Sequence, residues 1–215
     1  MDRTSHGDAP LALAITGASG ARYWLRFLDV VLGQGVDVHL VHSAPADGVC
    51  RLELGRSMDE LLEEMTQASP GEQPRGRLLR FDPTDFHAPL ASGSARYRGM
   101  AVVPCTSGTL GRIASGTSDN LIVRAADVML KEGRPLILLL RETPLNLIQL
   151  ENMTRLARAG AVIMPASPGF YQDPQSVDEL VDFMVQRICD RLEIPCALHR
   201  RWGDDRSGDG ASSRD

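Results

Sequence analysis

The chain has 215 residues, 43% hydrophobic and 24% charged, the balance of a globular protein large enough to bury one sizeable core. A net charge of −5 leaves no domain-wide basic surface, which argues against a general nucleic-acid binder and requires any anionic ligand to be held by a local cluster. Cys50, Cys105, Cys189 and Cys196 show no CxxC spacing, and the histidines form neither HExxH nor a paired-ligand pattern, so no disulfide framework and no metal site are expected, and a cytoplasmic, reducing setting fits best.

No apolar run reaches the roughly 18 residues of a membrane helix, and the N-terminal MDRTSHGDAP lacks a signal-peptide core. Residues 1–9 and 203–215 are small and polar, expected to be a frayed end and a disordered tail around a single domain over 10–202. Leu11 to Ile15 is a short apolar strand running into Thr16-Gly17-Ala18-Ser19-Gly20. Tyr23, Leu25, Phe27, Leu28, Val31 and Leu32 then mark an amphipathic helix. Such a turn lets backbone N–H groups approach an anion or a flat ring; a tight turn that needs glycine explains it equally well.

Val36–Val41 is the second strand, ending at His42-Ser43, with Asp37 at its start, the wrong end for a ribose-binding acid. Residues 44–68 are expected to be helical, with Glu53 a helix-surface charge, followed by a loop and a short extended run, Leu78–Phe81. The irregular segment 86–94 ends in Ser92-Gly93-Ser94, a lid or a phosphate contact. Met100–Val103 is expected as the third parallel strand, stopping at Pro104 before a second small-residue turn. There Thr106, Ser107 and Thr109 either bind an anion or cap a helix. Cys105 has no histidine nearby and is expected to be a buried small hydrophobe.

A helix over 120–130 closes at Lys131, and Leu136–Leu140 is an unbroken apolar run, the pattern of a central parallel strand covered on both faces. Arg141 and Glu142 follow it, where the ligand crevice of an open parallel sheet lies, or else are solvated loop charges. Lys131 falls at the opposite end, unless its stem reaches round or a neighbouring subunit uses it. A helix over 146–159, a strand over 161–164 and a last helix over 177–192 carrying Arg187 complete the chain. The alternation predicts an α/β, mostly parallel sheet with helices on both faces and right-handed crossovers. The loops rich in Gly, Ser, Thr and Pro all follow strands, which points to one working edge.

TGASGA at 16–21, SGS at 92–94, PCTSGTL at 104–110, NLIVRAADVMLKEGRPLILLLRETPLN at 120–146, GAVIMPASPGFY at 160–171, PQSVDELVDFMVQRI at 174–188 and RW at 201–202 together resemble the UbiX-type flavin prenyltransferases, from about Leu11 to Trp202. The resemblance implies a flavodoxin-like, Rossmann-related fold, FMN bound between subunits of a trimer, and a homododecamer built of such trimers, without metal. The implied activity moves a dimethylallyl group from dimethylallyl monophosphate to reduced FMN, at N5 and C6, making prenylated FMN for a UbiD-type decarboxylase.

Carried over by position, the resemblance places Gly17, Ala18, Ser19, Ser43, Ser92, Ser94, Thr106, Ser107, Thr109 and Arg124 around FMN. It assigns Lys131, Arg141, Tyr171 and Arg187 to the prenyl phosphate, whose departing charge needs fixed cations and a phenol donor. Ser19, Glu142 and Glu53 are the implied catalytic residues, the two carboxylates moving protons. Phe86 and Trp202 are implied to line and close over the prenyl pocket. Phe86 stands where relatives carry Trp, and Ala44 where Lys is frequent. Flavin-dependent cysteine decarboxylases share the fold but carry a catalytic His and a PASANT-type segment where this chain has PCTSGT. A non-catalytic FMN carrier would not need the Lys131, Arg141, Tyr171 set.

Overall fold

The computed structural model describes residues 9–66 and 75–199. Trp202, the expected tail and nearly all of the expected frayed N-terminus lie outside them. Six strands, β1 (Leu11–Ile15), β2 (Val38–His42), β3 (Leu78–Phe81), β4 (Gly99–Cys105), β5 (Leu136–Leu140) and β6 (Val162–Pro165), form one sheet ordered β3-β2-β1-β4-β5-β6. Every pairing is parallel. This is the α/β, flavodoxin-like and Rossmann-related architecture expected of the sequence. The strand order reverses between β1 and β4, so the ligand crevice of such a sheet lies beyond Ile15 and Cys105.

The central strands β1, β4 and β5 are buried at every residue, which is why they carry unbroken apolar runs rather than alternation. Their side chains still divide by the two-residue period of a strand. Leu11, Leu13 and Ile15, with Ile137 and Leu139, pack against α1 (Ala21–Gly33), α2 (Ala44–Leu54), α3 (Met58–Thr66) and α7 (Val177–Arg191). Ala12 and Ala14, with Leu136 and Leu138, pack against α4 (Ser107–Ser115), α5 (Leu121–Lys131) and Leu156 of α6 (Leu147–Arg158). The alanines of β1 suit the second layer, where buried α5 residues such as Leu121, Ala125 and Ala126 fill the space.

Three expectations need correction. The helix expected over 44–68 is two helices, because Gly55 turns left-handed (φ 71°) and its N–H closes on Arg51 O at 3.1 Å. Ser57 and Glu60 then start α3 reciprocally, Glu60 accepting the Ser57 N–H at 2.7 Å and Ser57 Oγ the Glu60 N–H at 3.3 Å. The run at 78–81 is a full parallel edge strand on β2, so the strand after it is the fourth of the set, not the third. That strand also does not stop at Pro104: Thr16 donates both its N–H (3.3 Å) and its hydroxyl (2.8 Å) to Pro104 O, and only the ladder to β5 shifts, between Val102 and Cys105, where proline offers no N–H.

Candidate functional site

The first turn is held rigidly. Thr16, 2% exposed, donates to Pro104 O and accepts the Thr106 N–H at 2.9 Å, which locks the turns after β1 and β4 together. Sequence reasoning missed this residue, although a hydroxyl at the end of an otherwise apolar strand was its signal. A side chain at Gly17 would place its Cβ 2.5 Å from Pro45 Cβ, and Gly20 sits at φ 115°, so both glycines are needed for shape. Ser19 is left exposed at the rim.

Glu53 is not the helix-surface charge expected. From α2 it reaches the start of α1, where its carboxylate accepts the N–H groups of Gly20 (3.0 and 3.1 Å) and Ala21 (2.7 Å) and the Ser19 hydroxyl. Partial burial pushes its pKa up. The hydrogen bonds from Ser19, Ala21 and Gly20 and the nearby charge of Arg141 outweigh that and hold it below the usual carboxylate range. The anion-binding capacity of the α1 N-terminus is thus taken by the protein's own carboxylate, and the turn is free to border a flat ring. A depressed carboxyl stabilises the fold above its ordinary pKa, and the contribution is lost as pH falls through the folded value. Glu53→Gln is therefore expected to lower the Tm by roughly 1–3 °C at pH 7. The deficit should close as pH falls through the lowered folded value of Glu53, and a deficit unchanged in acid would mean packing rather than charge.

At the second turn Thr106 caps α4, its Oγ1 accepting the Thr109 N–H at 3.0 Å while donating to Thr109 Oγ1 at 2.9 Å, so these two hydroxyls serve first to start the helix. Ser107 instead donates to Glu142 Oε2 at 2.7 Å, joining the turn after β4 to the end of β5. Arg141 hangs its N–H on Cys105 O at 3.2 Å, and its buried Nε has no hydrogen-bond partner. The Ser43 Oγ, at the end of β2, is also buried without one. An unpartnered buried polar group costs about 1–3 kcal/mol. Two of them at the carboxyl ends of β2 and β5, on either side of the β1–β4 switch point, fit a ligand rich in oxygen acceptors. Cys105 is fully buried, and burial pushes its thiol up to about 12, so it is no nucleophile.

The remaining site residues stand elsewhere on the subunit. Helix α5 starts at the carboxyl edge, where Leu121 N–H meets Pro83 O at 2.7 Å, and runs back to the amino edge, where Lys131 ends it. Along it lies the segment from a 3-10 turn at Pro89–Ala91 to Ala95, with the Ser92 and Ser94 hydroxyls 2.8 Å apart. Arg124 donates from Nε to Ala91 O at 3.1 Å and pairs with Asp127 at 2.9 Å. Tyr171 follows β6 and packs edge-on against Phe183 at 5.9 Å, Arg187 is exposed on α7 with Asp190 at 3.7 Å, and Phe86 is exposed in the loop after β3. One subunit therefore gathers Ser19, Ser43, Glu53, Ser107, Arg141 and Glu142 at the switch point and holds Ser92, Ser94, Arg124 and Lys131 along α5. Among the described residues no His, Cys, Asp and Glu cluster could hold a metal ion, and no helix is long and apolar enough to cross a membrane.

A doubly wound parallel sheet with two interlocked small-residue turns, hydroxyls and a half-buried arginine at its switch point defines a nucleotide- or flavin-binding α/β protein. The model of the flavoprotein family matches residues 2–189. The chain belongs to that family and, within it, to the UbiX-type flavin prenyltransferases. It is 45% identical to the flavin prenyltransferase UbiX of Pseudomonas aeruginosa over 92% of this chain and 96% of that one. It is 46% identical to the UbiX of Halalkalibacterium halodurans over 90% and 93%. Among solved structures, AnUbiX (PadA1) in complex with FMN and dimethylallyl pyrophosphate superposes with a TM-score of 0.83 at 37% identity, covering 91% of this chain and 98% of that one. A dodecameric FMN-dependent UbiX-like decarboxylase from Escherichia coli O157:H7 superposes with a TM-score of 0.79 at 37% identity, over 90% and 98%.

Proposed function

We propose that this protein is a cytoplasmic flavin prenyltransferase that moves a dimethylallyl group from dimethylallyl monophosphate to reduced FMN, making prenylated FMN for a UbiD-type decarboxylase. The observation that carries this reading is the adjacent pair at the end of β5. Arg141 keeps a buried, unpartnered Nε there, and Glu142 beside it is held by Ser107. A guanidinium held ready for an anion next to an anchored carboxylate suits a reaction in which phosphate departs and a proton must be taken up. Reduced FMN, when bound, supplies the N5 and C6 atoms that accept the prenyl group.

The roles of the protein's own groups follow from their surroundings. Arg141 meets the charge that builds on the departing phosphate, where a fixed cation in a dry site acts more strongly than in water. Glu142 has one hydroxyl donor from outside its own loop, plus a 3.2 Å contact from Thr143 N–H, and we assign the proton transfer to it. Glu53, gripped by the N–H groups of α1, stays ionised and orients the Ser19 hydroxyl. Lys131, Tyr171 and Arg187 complete the phosphate site, Phe86 and Trp202 the prenyl pocket. Since Lys131, Arg124, Ser92 and Ser94 lie along α5, we assign them to the site of a neighbouring copy, in a dodecamer built of trimers.

Two outcomes are expected. The purified protein retains FMN through gel filtration in the presence of EDTA, and a colour that depends on added divalent metal would count against the reading. Anaerobic incubation with reduced FMN and dimethylallyl monophosphate, followed by mass spectrometry of the extracted flavin, shows FMN heavier by one dimethylallyl unit. Unmodified FMN under those conditions, with both the monophosphate and the pyrophosphate as donor, would overturn the proposed activity.

A further inference from the structure

Arg134, just after α5, belongs to none of the sets above, yet its guanidinium reaches across to the 92–95 loop. It donates from one nitrogen to Ala95 O at 2.7 Å and from the other to Gly93 O at 2.8 Å. Its own backbone is fixed by Met129 O at 2.8 Å, so the fork is mounted on the end of a helix. Arg124 holds the same loop one step earlier, at Ala91 O. The loop in turn lies directly on the Lys131 ammonium. A Cβ added at Gly93 would come within 2.6 Å of Lys131 Nζ and would also strike the Glu132 carboxylate, which holds that ammonium at 2.5 Å.

We propose that Arg134 is a positioning residue that clamps the Ser92-Gly93-Ser94 loop onto the Lys131–Glu132 pair, so that two hydroxyls and an ammonium are presented to the ligands as one preformed anion-binding unit. Two forked, charge-assisted hydrogen bonds to backbone carbonyls fix a loop in a way a single ammonium cannot. A loop ordered before binding does not have to be ordered by the ligand, and that difference is read in affinity. Glycine is required at 93 for the same reason: it allows the backbone to touch the ion pair. The inference rests on the reading that Lys131, Ser92 and Ser94 contact ligand.

Arg134→Ala in the full-length, assembled protein is expected to weaken both FMN binding and dimethylallyl monophosphate binding by about tenfold while kcat at saturation changes little. Arg134→Lys recovers part of the loss. If Arg134→Ala does not fold, Gly93→Ala provides the test, because its Cβ meets the movable ends of two flexible side chains rather than backbone. That variant keeps its Tm and raises the KM for the donor. The comparison is with Lys131→Ala and Ser92→Ala/Ser94→Ala. If those variants bind both ligands like the parent, the underlying site reading fails. If they lose affinity while Arg134→Ala and Gly93→Ala keep it, the clamp is wrong.

Discussion

Glu142→Gln is expected to fold, assemble and bind both FMN and dimethylallyl monophosphate like the parent, yet to lose about a hundred- to ten-thousand-fold in single-turnover rate, the range of general acid–base catalysis. The substitution is isosteric, and an amide oxygen still accepts the Ser107 hydroxyl that now reaches the carboxylate at 2.7 Å, so the geometry joining β4 to β5 survives. What is lost is the capacity to take a proton. The two carboxylates of the site differ in this respect. Glu53 accepts N–H groups from Gly20 and Ala21 and the Ser19 hydroxyl, and protonating it would forfeit bonds that hold the start of α1. Glu142 has a single side-chain donor, Ser107, whose bond the amide oxygen of glutamine can also accept. Anaerobic rapid-quench measurement of prenylated FMN tests the assignment, and a Glu142→Gln rate within a few-fold of the parent would make Glu142 a bystander.

Much of this arrangement was legible in the chain because it is local. An unbroken apolar run bounded by proline and a charge pair located β5 to the residue, and with it the positions of Arg141 and Glu142 at one end and Lys131 at the other. The two turns were legible as small-residue segments after strands. What was not legible depends on partners distant in sequence. Glu53 looks like any surface acid of a helix until the fold brings it to Gly20, 33 residues earlier. The edge strand β3 is four residues of mixed exposure, and only its register against Val38–Val41 makes it part of the sheet. Arg134 gave no signal, since one arginine before a proline has no pattern and its function lies in two carbonyls some forty residues earlier.

Arg141→Met is expected to separate stability from activity. The methionine keeps most of the apolar stem and removes a half-buried guanidinium whose Nε has no hydrogen-bond partner. Such a group costs free energy in the empty protein, about 1–3 kcal/mol for an orphaned polar atom, so the Tm should stay level or rise by a few degrees. The charge also lowers the Glu53 carboxyl, which should drift up toward its ordinary value in the variant, moving the acid limb of unfolding to higher pH because that carboxylate then protonates sooner as pH falls. Catalysis moves the other way: without a fixed cation facing the departing phosphate, kcat/KM for dimethylallyl monophosphate should fall by about 10² to 10³, through both terms, because the charge on the phosphate is present in the bound donor and grows as the bond breaks. Arg141→Lys, a point charge in place of a fork, should recover only part of this. A Tm lowered by many degrees with kcat/KM intact would make Arg141 a structural residue and leave the phosphate to Lys131 and Arg187. A raised Tm with lost turnover would show that the fold carries this half-buried cation, with its unpartnered Nε, for the sake of its substrate.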